Sequence, residues 1–390
     1  MHTNHFFVSN LTADAVVSGS YIIQNIQFCT TRTGTPYLRA TLNDATGSIR
    51  MLFWDYDNSS TPLFDGAIVN INGTVGHYRG ILQITAESLC LTDLGMLDQE
   101  DMDSLVPSAP IDVDACGKYV ISLADNLKTA GLHDICDYLF YKHWDCFSSI
   151  PAAKSVHHAF LHGLLMHTAD MAVAAEAIIT NNESYINRDL LIAGILLHDI
   201  GKILEFEISP VTGLVTGYTD KGNLLGHPVL GAMEIREAAE TVGANPYLTM
   251  LLEHMILSHH GDPTAGAAKV PMTIEAELLH DLDKLDCRKQ IYTNSLQGIQ
   301  SSAYSAYVPA LDHKVFQHGV TVPKGFNDSF SANVKNTTES FASFEGCDHE
   351  ESQFCRSNDA SFYNPQSEYR QSFCQANHPP AFINTEFPEM

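Results

Sequence analysis

The chain has 390 residues, 45% of them hydrophobic, and a formal net charge of -25 at pH 7. That length exceeds one typical domain, and the apolar content suffices for a packed core. The acidity argues against broad electrostatic capture of nucleic acid, which needs lysine and arginine to displace counterions; it still allows a nucleic-acid enzyme whose bound divalent ions supply local positive charge. No apolar run approaches the ~20 residues that span a bilayer, so no membrane association is expected. The opening MHTNHFFVSN has neither the basic nor the apolar region of a secretory signal, and nine scattered cysteines without a C-x-x-C pair read as reduced thiols. The expected location is cytoplasmic.

Residues 1–95 carry short runs of β-formers: YIIQNIQFCTT, PYLRATLND, SIRMLFWD, AIVNINGTV and GILQITAESL. Turn-forming stretches separate them, among them RTGTP, NDATGS and GHYRG. Five strands with one long connection fit a small all-β OB-fold barrel. In YLRATL, Leu38, Ala40 and Leu42 alternate with Tyr37, Arg39 and Thr41, the pattern of a strand with one buried face.

Residues 96–118 read as an acidic linker. From 119 to 310 the period becomes helical, giving an all-α domain in which Pro246 starts one helix and Asp189 caps or charges another start. From 311 to 390 the composition turns to Ser, Asn, Gln, Phe and Pro without a period, the mark of a disordered low-complexity tail.

Polar residues interrupt the apolar faces of the helical segments: His167 in LLMHTADM, His198 and Asp199 in LLHDIGK, His227 in LLGHPVL, His259 and His260 in ILSHHGD, Asp283 and Asp286 in LLHDLDKLD. One buried histidine is ordinarily a satisfied core residue. Many titratable groups delivered to one interior need compensation, and a metal supplies it. Imidazole and carboxylate without thiolate suit a transition-type divalent ion better than calcium or sulfur-bound zinc, and the adjacent pairs suffice for one ion or two. A pair of ions suits phosphoester hydrolysis. The expected metal is Mn first, with Fe, Co, Zn or Mg as alternatives. Lys202 reads equally as a hold on a phosphate oxygen and as a solvated helix-end lysine.

Behind the barrel, the segments HHAFLHGLLMHT, LLIAGILLHDIGKILE, GNLLGHPVLGAMEI, LSHHG and PMTIEAELLHDLDKLDCR resemble the HD superfamily of metal-dependent phosphohydrolases. Within it they resemble the YhaM-type 3′→5′ exoribonucleases, over roughly residues 8 to 295. The resemblance implies His167, His198, Asp199, His227, His259, His260 and Asp283 as metal ligands, with His198, Asp199 and Lys202 at the catalytic centre. Asp286 is a weaker candidate for the closing carboxylate. A histidine pair also stands in the family where His157 and His158 stand, read as a phosphate contact or as helix-start packing. Lys269 matches a basic position, Glu205 stands after the motif at a position where the family also tends to be acidic and has no assigned role, and His162, His254 and His280 read as incidental. The GYP element of cyclic-dinucleotide phosphodiesterases is absent.

On the barrel, Tyr37, Arg39, Trp54, Tyr78 and Arg79 are candidates for stacking and gripping a single strand. Phe53 and Trp54 are strand neighbours, so only one faces outwards. The absence of lysine from the barrel predicts modest affinity. The reading is a metal-dependent 3′→5′ exoribonuclease acting on single-stranded RNA, with single-stranded DNA as a second substrate class and a homo-oligomer as an open partner state. Two alternatives stand beside it. One is a small-nucleotide phosphohydrolase with a regulatory or assembly barrel; the other is a non-catalytic strand-binding protein.

Overall fold

The structure is a computed structural model that describes residues 5–54, 56, 63–78, 81–155, 158–179 and 185–320. Strands β1 (Val16–Thr30), β2 (Pro36–Asp44), β3 (Gly47–Trp54), β4 (Ala67–Tyr78) and β5 (Ile81–Leu91) close into a barrel in the order β1-β2-β3-β5-β4. Neighbours pair antiparallel except β3 with β5, whose parallel ladder closes the ring as in an OB-fold. The expected alternation holds: Leu38, Ala40 and Leu42 are buried while Arg39 is exposed. Phe53 packs towards the barrel core and Trp54 faces out. Asp44 builds the β2–β3 turn from inside, its Oδ1 accepting from the backbone N–H of Thr46 (2.7 Å) and Gly47 (3.1 Å). At Gly73, beside a bulge in β4, a Cβ would lie 2.5 Å from the Thr85 carbonyl oxygen, so only glycine allows the two strands to close there.

The linker expectation needs correction. Helix α1 (Gln99–Leu105) forms behind a reciprocal capping box between Asp98 and Asp101, and α2 (Val113–Asp125) starts behind Asp112. Leu105 and Val106 are buried with Ile22 and Ile68 of the barrel and Leu214, a small core of their own between barrel and helices. Seven residues are too few to show a helical period, so the sequence read as loop.

The helical domain continues through α3 (Ala130–Ser149), α4 (Gly163–Ile179), α5 (Arg188–Leu197) and α6 (Lys202–Glu205). A short hairpin of β6 (Phe206–Ile208) and β7 (Val215–Tyr218) precedes α7 (Asp220–Leu225), α8 (His227–Val242), α9 (Pro246–Ser258) and α10 (Ile274–Leu296). Their apolar faces share one core that includes Leu139, Leu164, Leu191, Ile235, Leu252 and Leu279. Pro246 opens α9 as expected. Asp189 does not cap its own helix: Asn187 does, and Asp189 instead accepts from the backbone N–H of Lys128 (2.8 Å) and Thr129 (2.7 Å) at the start of α3. A second hairpin, β8 (Ala303–Val308) and β9 (His313–Gln317), packs on α10 across the boundary set at 310/311, so irregular chain does not begin there. Residues 321–390 of the expected tail lie outside the described residues. No described helix is long and apolar enough to cross a membrane.

Candidate metal centre

The GILLHDIGKI stretch does not run as one helix. Helix α5 ends at Leu197, and His198 to Gly201 turn sharply before α6 begins at Lys202. Helix α9 likewise ends at Ser258, just before His259 and His260. A histidine at such an end turns its ring back onto the last helical carbonyls. Nδ1 of His198 donates to the Ile195 carbonyl (2.8 Å), and Nδ1 of His259 to the Ile256 carbonyl (2.6 Å). Two glycines permit these turns. A Cβ on Gly201 would collide with the His227 carbonyl, so Gly201 lets the His-Asp turn lie on the start of α8. Gly261 has φ +79°, and a Cβ there would strike the His280 ring.

The turns, α4 and α10 bring the expected residues together around Asp199. Nε2 of His167 lies 3.2 Å from Nε2 of His198, 3.8 Å from Asp199 Oδ2 and 3.3 Å from Asp283 Oδ1. Nε2 of His198 lies 3.2 Å from the same Asp199 Oδ2. The other oxygen, Oδ1, lies 3.4 Å from Nε2 of His227 and 3.9 Å from Nε2 of His259. Nε2 of His227 is 3.4 Å from that of His259 and 3.2 Å from that of His260. One carboxylate therefore stands between two sets of donors: His167, His198 and Asp283 on one side, His227, His259 and His260 on the other.

The outward nitrogens of four of the five imidazoles are already engaged, while Nδ1 of His260 is buried without a hydrogen-bond partner among the described residues. His167 Nδ1 donates to Asp286 Oδ2 (2.8 Å), and His227 Nδ1 to Glu205 Oε2 (3.0 Å). With the two carbonyl acceptors above, four imidazoles hold their proton on Nδ1 and aim Nε2 inwards. That is the tautomer a metal requires, secured by the outer partners that usually accompany one. Lone pairs facing one another at these distances repel unless a cation or proton lies among them, so the donor set fits divalent ions.

The electrostatics agree. Burial would raise Asp199, but Lys202, whose Nζ lies 2.6 Å from Oδ2, and the adjacent imidazoles hold it well below the usual carboxylate range. Burial pushes His259 well down and His260 down, each helped by its histidine neighbours, so both stay neutral. Burial works to lower His167 as well, yet the Asp283 and Asp286 carboxylates raise it to about 9. A cation held on that side would take the place of a proton on His167.

Asp283 lies on the Nε2 side of His167 and Asp286 on its Nδ1 side. His158 is 1% exposed and its Nε2 lies 2.8 Å from Asp286 Oδ2, the oxygen that also accepts from His167. His157 and Arg79 lie outside the described residues. Glu205, without a role in the sequence reading, orients His227 through both oxygens, accepting also from its backbone N–H (2.9 Å). His280, read as incidental, donates from Nδ1 to the His259 carbonyl (2.8 Å). Cys287 was missed: its Sγ donates to Asp283 Oδ1 (3.3 Å) and lies one helical turn beyond. Lys269 is exposed in the chain between α9 and α10. The centre opens through a cleft lined by His260, Asp262, His280, Asp283 and Lys284. On the barrel, the rings of Tyr37 and Trp54 stand 5.0 Å apart on adjacent strands, Tyr78 is exposed, and Arg39 is held by Gln27.

The family model of the HD domain matches residues 164–287. The 3′-5′ exoribonuclease YhaM of Bacillus subtilis (strain 168) is 34% identical over 284 residues, covering 73% of this chain and 88% of that protein. The enzyme of the same name from Geobacillus sp. (strain WCH70) is 33% identical over 284 residues, covering 73% of this chain and 86% of that protein. Among solved structures, a domain of replication protein A from Methanococcus maripaludis aligns over 23% of this chain and 97% of that domain, at 20% identity and a TM-score of 0.21.

Proposed function

Because the chain belongs to the family of YhaM 3′→5′ exoribonucleases with an HD domain, we propose that its histidine–aspartate centre holds two divalent ions, manganese first among them, and hydrolyses the 3′-terminal phosphodiester of single-stranded RNA. The observation that carries this is the divided Asp199 carboxylate, Oδ2 towards His167 and His198, Oδ1 towards His227 and His259, with Asp283 beside His167 and His260 beside His227. When bound, such ions supply an activated water and neutralise charge on the phosphoryl oxygens. The chain's own residues prepare the place. Asp286 and Glu205 fix the rings of His167 and His227, while main-chain carbonyls fix His198 and His259. Lys202 keeps Asp199 anionic and is the nearest ammonium for a non-bridging phosphate oxygen. On this reading the barrel grips the strand upstream, with Tyr37 and Trp54 stacking bases. RNA of the cytoplasm is the substrate in view, a compartment where thiols such as those of the described cysteines stay reduced.

The test is degradation of a 5′-labelled single-stranded RNA with manganese, with and without chelator. The expected result is a ladder shortening from the 3′ end, abolished by chelator and by Asp199→Ala in a chain that still folds and binds RNA. Full activity of Asp199→Ala would sink the proposal. Turnover of mononucleotides or cyclic dinucleotides in place of RNA would favour the small-nucleotide alternative.

A further inference from the structure

Beyond the cleft of the metal centre, the exposed face of α10 continues as a second depression lined by Asp281, Lys284, Leu285, Arg288, Lys289 and Tyr292. Lys284 belongs to both, so the two are continuous. The charge of this face runs against the rest of the molecule. From Lys284 to Lys289 three of six residues are basic, in a chain with 21 lysines and arginines against 46 acidic residues. Lys289 is committed to Asp170 (2.6 Å) and Asp286 (2.7 Å). Lys284 and Arg288 pair with no carboxylate among the described residues, and they stand one helical turn apart, ~5–6 Å between Cβ atoms.

The β8–β9 hairpin packs at the far end of this face, where Tyr292 Oη and His313 Nε2 share a hydrogen bond of 3.0 Å. Its inner side buries Ser305 and Val315. Its outer side carries Tyr304 and Phe316, cross-strand partners with ring centroids 4.9 Å apart, beside Tyr307 and Lys314. Tyr304 is 66% exposed and Phe316 44%. Aromatic rings displayed on a strand pair that packs on the helix bearing unpaired cations suit bases on a phosphate backbone, since every base has a face to stack and every linkage a charge.

We propose that this face of α10 and the β8–β9 hairpin form a track for single-stranded RNA, leading from the metal centre. Lys284 and Arg288 contact phosphates, and the Tyr304–Phe316 pair stacks a base. The inference rests on the exoribonuclease reading and extends it by a contact surface separate from the barrel.

Binding can be measured apart from hydrolysis, by fluorescence anisotropy of a labelled single-stranded RNA with the full chain in chelator, across a salt series. Lys284→Ala with Arg288→Ala is expected to reduce the steepness of log K against log salt by about 1.4, from about 0.7 per lost phosphate contact on a single strand. Tyr304→Ala with Phe316→Ala is expected to weaken binding roughly tenfold at an unchanged slope, about 1.4 kcal/mol for a lost base stack. Lys118→Ala with Lys221→Ala, two lysines elsewhere on the surface, serves as the control pair. Unchanged affinity and slope in both variant pairs would overturn the track. So would a shift in sedimentation with RNA binding intact, which would make the surface a contact between copies of the chain. A wild-type chain that binds RNA by this track yet leaves it undegraded with manganese would overturn the exoribonuclease reading and support the track.

Discussion

Two side chains carry separable duties at the centre. Lys202 touches Asp199 from beside the donor set and faces no imidazole nitrogen in the hydrogen-bond network. Lys202→Ala is therefore expected to lower kcat at least tenfold, about 1.4 kcal/mol of transition-state stabilisation, with metal content retained. Metal analysis of the purified variant alongside its kinetics checks this, and loss of the metal would make Lys202 structural. Asp286 acts through His167. Asp286→Asn keeps the shape but removes the charge that holds the His167 and His158 rings, and metal affinity should fall about 10–100-fold. Titration calorimetry reads that change directly; unaltered affinity would refute the orienting role.

At the scale of elements, α8 is tied to α3 by Glu234, which accepts from Lys142 (2.8 Å) and from His143 (2.7 Å). Burial would raise Glu234, but these two partners lower it to about 2. A carboxylate with a depressed folded pKa contributes stability that is complete above its unfolded value of about 4.3 and fades as pH falls towards the folded one. Glu234→Gln should accordingly be less stable than the parent by about 2–3 kcal/mol at pH 7, a gap that closes as pH falls from 5 towards 2. Urea melts of both chains across that range measure it, and a gap independent of pH would exclude the ion-pair account. The elements also show what was legible in the sequence. Alternation revealed the β-strands, and apolar spacing revealed the long helices along with the polar residues breaking their faces. The helix ends that carry the site were not legible. His198, His259 and His227 sit at helix ends and starts because of Gly201, Gly261 and Gly226, whose close approaches and positive φ arise only in tertiary contact. Outer partners such as Asp286, Glu205 and His280 were obscured for the same reason, since one residue's orientation of another across 119 positions leaves no local pattern.

For the whole molecule, an acidic chain handles a polyanion by concentrating its attraction. On the proposed reading, divalent ions held at the centre would supply positive charge that the overall composition lacks. The barrel meets the helical domain through the small core of Ile22, Ile68, Leu105, Val106 and Leu214. Trp54→Ala should raise KM for long RNA by about tenfold while a dinucleotide substrate keeps its kcat/KM, and equal losses on both would remove the barrel from strand binding. The central claim is the division of Asp199 between two cations. Anomalous diffraction from crystals soaked in manganese tests it most directly. Two peaks ~3.5–4 Å apart are predicted, one beside His167, His198 and Asp283, the other beside His227, His259 and His260, with a different Asp199 oxygen facing each. A single peak, or two with Asp199 contacting only one, would contradict it.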